Sequence, residues 1–215
     1  MKYSLAFFDL DGTILNTLED LKRSLNFALR SCRLPPRSLN EVRRFVGNGI
    51  GRLIERGVPI GTPADQMQEV LTVFHAHYEV HCADHTQPYT GIPELLCALR
   101  AGGVQTAVVS NKADYAVQTL CRQYFDGLFD RCAGVREGQR HKPFPDTVEQ
   151  VLTSLQVPKK NAVLIGDSDV DVQTAQNAGL DFIGVSWGFR DRTVLAKAGA
   201  KRIVDSPADL KNLLL

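Results

Sequence analysis

The chain has no excess of charge of either sign: 25 Lys and Arg stand against 24 Asp and Glu, a formal net charge of +1 over 215 residues. So even a balance leaves no electrostatic footprint for wholesale binding of nucleic acid or an anionic membrane surface, and any basic residue that matters must act locally. Long apolar runs are also missing. The opening MKYSLAFFDLDG meets aspartate too soon for the apolar region of a signal peptide. No later stretch approaches the length that spans a bilayer. Cysteines are scattered at positions 32, 82, 97, 121 and 132, odd in number and without a CxxC pair. That spacing argues against a disulfide framework or a cysteine zinc site and fits the reduced thiols of a cytoplasmic protein. Nothing repeats, and no segment is of low complexity.

What is present is an ordinary globular composition, 44% hydrophobic and 23% charged, with material for a well-filled core. Short apolar runs at 4–9, 104–111, 131–135, 161–167, 180–187 and 201–204 read as strands too short for helices. Their near-continuous hydrophobicity suits a parallel sheet covered on both faces. Helical segments separate them. Pro93 and Gly102 bracket one as a first-turn proline and a terminal glycine. Others cover 113–124, 145–155 and 169–179, and Ser206-Pro207-Ala208-Asp209 resembles a capping box at the start of the last. The alternation predicts a doubly wound, Rossmann-like α/β core.

Residues 16 to 88 break this rhythm, with helical periodicity and no convincing strand. Thr17 can cap a helix whose apolar face runs through Leu18, Leu21, Leu25 and Leu29. Ser38 to Glu41 opens a second, 50–58 suits a third, and Thr62-Pro63 starts a long fourth. The expected organisation is a core of residues 1–15 and 89–215 with a helical cap of residues 16–88 inserted after the first strand.

The strand ends carry the chemistry. The first run ends in Asp9-Leu10-Asp11-Gly12-Thr13, the second in Ser110-Asn111-Lys112, the fourth in IGDSDVD with Asp167 and Asp171, and KPFPD puts Lys142 before a helix. Aspartate and glycine are also ordinary turn residues, so the first motif alone reads equally as a way out of a strand. Ligands of open α/β sheets bind outside the carboxyl ends of strands, at the switch in strand order. If the first strand lies between the second and fourth, these groups converge there. A carboxylate can then attack phosphorus, a second one can protonate the leaving alcohol, and clustered carboxylates invite magnesium. A hydroxyl, backbone amides and a lysine would hold the equatorial oxygens.

DxDGT, a strand-end Ser-Asn, a lysine in KPxP and GDxxxD, in that order and with the helical insert, resemble the haloacid dehalogenase superfamily of phosphohydrolases. FVGNGIGRLIERGV, SNK, HKPFPD and SWGFR are most similar to its phosphoglycolate phosphatase branch. The resemblance implies Asp9 as nucleophile and Asp11 as general acid/base. It implies Mg2+ held by Asp9, the Asp11 backbone carbonyl and Asp167, with Asp171 helping directly or through water. Ser110 and the Asn111 amide would hold the phosphoryl group, which Lys142 would bridge to Asp9. The expected partner is a small-molecule phosphate ester, with no nucleic acid or membrane.

Other residues offer alternatives. His77, His81 and His85, with His75 near them, suggest a metal site at i,i+4 spacing, or packing at a seam between cap and core. Arg43, Arg44 and Arg52 could read a substrate anion or simply face water. The bend Gly47-Asn48-Gly49 exposes backbone N–H groups where a helix opens and could hold the carboxylate of 2-phosphoglycolate, with Arg52 nearest to assist. Dehalogenases of the superfamily lack the second acid and the metal. A phosphonoacetaldehyde hydrolase needs a cap lysine, and the insert offers only Lys22. A phosphosugar mutase or phosphatase, or a pyrophosphatase, shares the motifs. A phospho-accepting receiver domain shares the chemistry but not the seventy-odd-residue insert.

Overall fold

A computed structural model describes residues 2–215. In chain order the strands are β1 (Leu5–Phe8), β2 (Leu15–Asn16), β3 (Gln87–Pro88), β4 (Gln105–Ala113), β5 (Arg131–Val135), β6 (Ala162–Gly166), β7 (Asp181–Val185) and β8 (Ile203–Val204). The helices are α1 (Leu18–Ser31), α2 (Leu39–Phe45), α3 (Ile50–Gly57), α4 (Ala64–His81), α5 (Ile92–Ala101), α6 (Asp114–Phe125), α7 (Asp146–Leu155), α8 (Asp169–Ala178), α9 (Arg192–Ala198) and α10 (Pro207–Leu214).

Six strands form one parallel sheet in the order β5-β4-β1-β6-β7-β8. The β1 sequence LAFF is buried throughout, because alternate side chains enter opposite apolar layers. Ala6 and Phe8 join the larger cluster with Val108, Val163 and the helices of residues 18–81, whereas Leu5 and Phe7 join Ala107, Leu164, Val148 and Ala175 on the other face. Burying the two phenylalanines contributes roughly 1.5–3 kcal/mol each. The strand order reverses at β1, which lies between β4 and β6, so its carboxyl end opens on the crevice where doubly wound sheets bind ligands.

Helices α1 to α4 lie between β2 and β3, which pair antiparallel at Leu15–Pro88 and Asn16–Gln87. This two-residue ribbon had no signature in the sequence, being too short to show alternation. It gathers the entry and exit of the helical insert at one point. Asp20, 1% exposed, reinforces that point by accepting hydrogen bonds from the backbone N–H of His85 and of Thr86 and from the Thr86 hydroxyl, at 2.8–3.0 Å. Helix α9 is a further element that the sequence reading did not name, although Asp191 at its start and Gly199 past its end are ordinary boundary signals. Among the described residues, no helix is long and apolar enough to cross a membrane.

Candidate active site

After β1 the chain turns sharply: the Leu10 carbonyl accepts hydrogen bonds from the N–H groups of Thr13, Ile14 and Leu15. Gly12 sits at φ +86° in this turn, and a Cβ there would meet the Asp167 carboxylate at 2.5 Å. The glycine of the first motif is therefore required twice, for its backbone and for the carboxylate packed on it. Asp167 is held by the Thr13 hydroxyl at 3.0 Å and the Phe189 N–H at 2.7 Å. A Cβ at Gly188 would strike it too.

Asp9, Asp167 and Asp171 each present a carboxylate oxygen within 4.8 Å of the others. Burial, then repulsion from Asp171 and Asp9, pushes the Asp167 carboxyl up to about 8. Burial likewise raises Asp9 to about 6, against the pull of Lys142 and with the push of Asp171. Lys142 Nζ approaches Asp9 Oδ1 to 2.9 Å and Asp171 Oδ1 to 2.6 Å. Burial pulls the lysine down, but the two carboxylates outweigh it and keep the ammonium charged. Asp9 Oδ1 nevertheless lacks any hydrogen bond of acceptable geometry and is buried. Three mutually repelling carboxylates, one with a buried oxygen held by an ion pair alone, are the donor set that suits a small, hard, oxygen-seeking divalent cation. Asp171 is the most committed of the three: its other oxygen accepts from the Ser168 N–H and hydroxyl, closing a capping box on α8.

Asp11 lies outside this cluster. Its Oδ1 accepts the Thr17 hydroxyl at 2.6 Å, and both oxygens face Lys112 Nζ, at 2.9 and 3.2 Å. Thr17 does stand at the N-cap of α1, but its side chain makes no cap bond there because the hydroxyl is spent on Asp11. Ser110 and Asn111 are buried, and β4 runs two residues past Asn111 to Ala113. The Asn111 side chain accepts from the Lys142 N–H at 2.7 Å and donates to the carbonyls of Lys142 and Gly47, both at 3.1 Å. It thus ties the lysine loop to the helical insert.

The loop after β7 braces both the turn after β1 and the insert. The Trp187 indole donates to the Thr13 carbonyl at 3.0 Å. Arg190 donates to the carbonyls of Arg43 at 2.6 Å and Val46 at 2.5 Å, covering orphan acceptors at the C-terminal end of α2. These contacts border a cavity of about 50 Å3 over the strand ends. Core groups Asp9, Asp11, Ser110, Asn111, Lys112, Lys142, Asp167 and Arg190 line its floor, while Leu21, Val46, Ile50, Leu53 and Tyr78 of the insert form its roof.

Gly47 and Gly49 line the cavity, but Asn48 and Arg52 face a separate outer groove with Arg56, Arg140 and His141. Arg52 is exposed and paired with Glu55 at 2.5 Å. Gly49 adopts φ +85°, and a Cβ there would meet the His141 ring at 2.9 Å. The Arg43 and Arg44 side chains are exposed; what the first contributes to the crevice is its carbonyl.

The histidines do not form a metal site: among the described residues only Asp9, Asp167 and Asp171 cluster as candidate ligands. The run at i,i+4 spacing fails because α4 ends at His81, and His85 turns away to pair with Asp20 at 2.9 Å. His77 bonds the Ser24 hydroxyl at 3.0 Å and stacks between Phe27 and His81, His81 pairs with Asp84, and His75 lies edge-on to Phe74.

Sequence reasoning overlooked Lys112, Tyr78 and Arg190. Lys112 stood in plain view as the residue after Ser110-Asn111, and a strand carried further would have placed it at the crevice. Tyr78, and Arg190 within the SWGFR stretch, were given no role of their own.

The family described as haloacid dehalogenase-like hydrolase matches residues 6–185. The phosphoglycolate phosphatase of Rhodospirillum rubrum is 34% identical over 97% of this chain and 90% of its own length. A crystal structure of a candidate phosphoglycolate phosphatase from Lactobacillus delbrueckii subsp. bulgaricus superposes with a TM-score of 0.95 at 37% identity, over 100% of this chain and 99% of that one. CbbY from Rhodobacter sphaeroides, solved in complex with phosphate, gives 0.80 at 26% identity, over 97% of this chain and 96% of that one. With the motif carboxylates and lysine gathered at the switch point of a matching sheet, the chain belongs to the haloacid dehalogenase-like hydrolases and is a phosphatase of that family, similar to the phosphoglycolate phosphatases.

Proposed function

We propose that the protein is a magnesium-dependent phosphomonoester hydrolase that works through an aspartyl-phosphate, with 2-phosphoglycolate as its first substrate. The observation that carries the reading is the meeting of Asp9, Asp167, Asp171 and Lys142 under a cavity of about 50 Å3. So small a space favours a small ester.

Asp9, Asp167 and the Asp11 carbonyl would hold the magnesium, with Asp171 reaching it directly or through water. Magnesium would supply neutralising charge to the carboxylates and to the phosphoryl oxygens. Asp9 attacks phosphorus as the ester bond to the alcohol breaks, so one difficult hydrolysis becomes two easier steps. Asp11 gives its proton to the leaving oxygen and later takes one from the attacking water. The Ser110 hydroxyl and Asn111 N–H donate to the equatorial oxygens, and Lys142 bridges them to Asp9. Residues 16–88 act as the cap over a core of 1–15 and 89–215. Gly47 and Gly49 supply backbone close to the substrate, while Asn48 and Arg52 face the outer groove.

A panel of phosphate esters assayed with magnesium tests the substrate. The highest kcat/KM is expected for 2-phosphoglycolate; higher values for sugar phosphates or nucleotides would replace it without touching the phosphatase class. Closing the cap needs Arg190, whose guanidinium holds the Arg43 and Val46 carbonyls. Hydrogen bonds to a charged group contribute about 1.5–3 kcal/mol, so Arg190→Ala should raise KM for 2-phosphoglycolate at least about tenfold. A generic aryl phosphate that engages the cap less should suffer less, and steady-state kinetics on both esters measure the difference.

A further inference from the structure

Three cations line the cavity, and two are accounted for. Lys142 is shared between Asp9 and Asp171, and Arg190 is spent on the carbonyls of the insert. The third, Lys112, is 4% exposed. Its Nζ contacts both oxygens of Asp11 and lies 4.8 Å from the centre of the Tyr78 ring. Burial pulls this ammonium down, but the Asp11 carboxylate beside it outweighs that. Tyr78 comes from α4 of the insert, is fully buried, and its hydroxyl has no hydrogen-bond partner. The rest of the roof, Leu21, Val46, Ile50 and Leu53, offers no side-chain hydrogen bond.

We propose that Lys112 and Tyr78, one from the core and one from the insert, form the subsite that recognises the non-phosphoryl end of the substrate, and that the group they take is a carboxylate. The inference rests on the phosphatase reading above and moves recognition away from Arg52. Its chemistry follows from the donor set. A lysine ammonium only donates, and the unpartnered tyrosine hydroxyl has a proton to give. Two donors in an apolar wall suit an acceptor that carries charge. The ion pair gives a second reason. To serve the leaving oxygen, Asp11 must turn at least one oxygen away from Lys112, which would leave a buried ammonium without its partner. A substrate carboxylate replaces Asp11 there, so the exchange costs least for an ester that brings its own anion. Esters with a neutral end bring nothing to replace it.

Lys112 and Tyr78 are thus specificity-determining residues, and the test compares two esters of nearly equal size. These are 2-phosphoglycolate and 2-hydroxyethyl phosphate, in which a hydroxymethyl group stands where the carboxylate was. For the unaltered enzyme with magnesium, the kcat/KM ratio of the first to the second should be well above one. Lys112→Met keeps the length of the side chain without the charge and should lower that ratio by about 10- to 100-fold, chiefly through KM for 2-phosphoglycolate. Tyr78→Phe removes only the unpartnered hydroxyl, so it should fold normally and lower the ratio about three- to tenfold. It carries the test alone if Lys112→Met does not fold. If Lys112 served only to position Asp11, kcat would fall equally for both esters and the ratio would stay fixed, which overturns the subsite. Variants that retain a preference shown by the unaltered enzyme overturn the subsite alone. An unaltered enzyme without that preference overturns the subsite together with the choice of 2-phosphoglycolate, while phosphatase activity on other esters keeps the class intact.

Discussion

Asp9→Asn is expected to abolish turnover, by a factor on the order of 10³ to 10⁶, or about 4–8 kcal/mol of barrier. Amide and carboxylate have nearly the same volume, and only the carboxylate can attack phosphorus. The fold should tolerate the change. Lys142 keeps its shorter contact with Asp171 at 2.6 Å, so the buried ammonium is not stranded. One negative charge also leaves a cluster in which Asp9 and Asp171 repel each other. Without metal, the variant should melt close to the unaltered protein, because Lys142 keeps a buried partner in Asp171. Single-turnover assays on protein free of contaminating phosphatases, paired with thermal melts, measure both quantities. Near-normal turnover would falsify the assignment of Asp9 as nucleophile, and loss of fold would show that its charge is structural.

Magnesium is expected to stabilise the protein more at pH 8 than at pH 5.5, and chelation to remove both the stabilisation and the activity. The sign follows from the raised carboxyls. Asp9 stands at about 6 and Asp167 at about 8 in the fold, against an ordinary 3.8. Between the ordinary and the raised values, the folded state binds more protons than the unfolded chain, so stability falls as pH rises through that window. Above it, the folded protein carries clustered charge that only a cation can offset. A magnesium concentration a hundredfold above Kd adds about 2.7 kcal/mol, or roughly 5–10 °C in Tm for a chain of this size. Melts with magnesium or with a chelator at both pH values read it out. Asp167→Ala should flatten the pH difference and weaken the magnesium response. Full activity in the chelator would remove magnesium from the mechanism, and an equal Tm shift at both pH values would place the cation elsewhere.

Much of the core was legible because its signals are local. A buried strand such as LAFF, a proline at the first turn of α5 and the Ser206 cap of α10 each report their element within a few residues. The motif aspartates were legible for a related reason: they sit where an apolar run stops, and strand ends in an α/β sheet point to the crevice. The ribbon of β2 and β3 was not, because its partners lie about seventy residues apart and are two residues long. Nor was the end of α4: nothing in the histidine spacing foretold that Asp20 would draw His85 off the helix.

By itself, then, the sequence determined the α/β rhythm, the helical insert and the strand ends at which acidic residues gather, since periodicity and turn chemistry are encoded in neighbouring residues; that Asp11 would stand apart, paired with Lys112, it did not record. Only the tertiary structure decided what each polar group touches. It set Gly12 and Gly188 against Asp167, turned the Thr17 hydroxyl from its helix to Asp11, and made Arg190 a clasp on the insert. It also brought Tyr78 over Lys112. Those pairings join residues from separate elements, and their geometry comes from the packing of helices on a sheet, which no local pattern records.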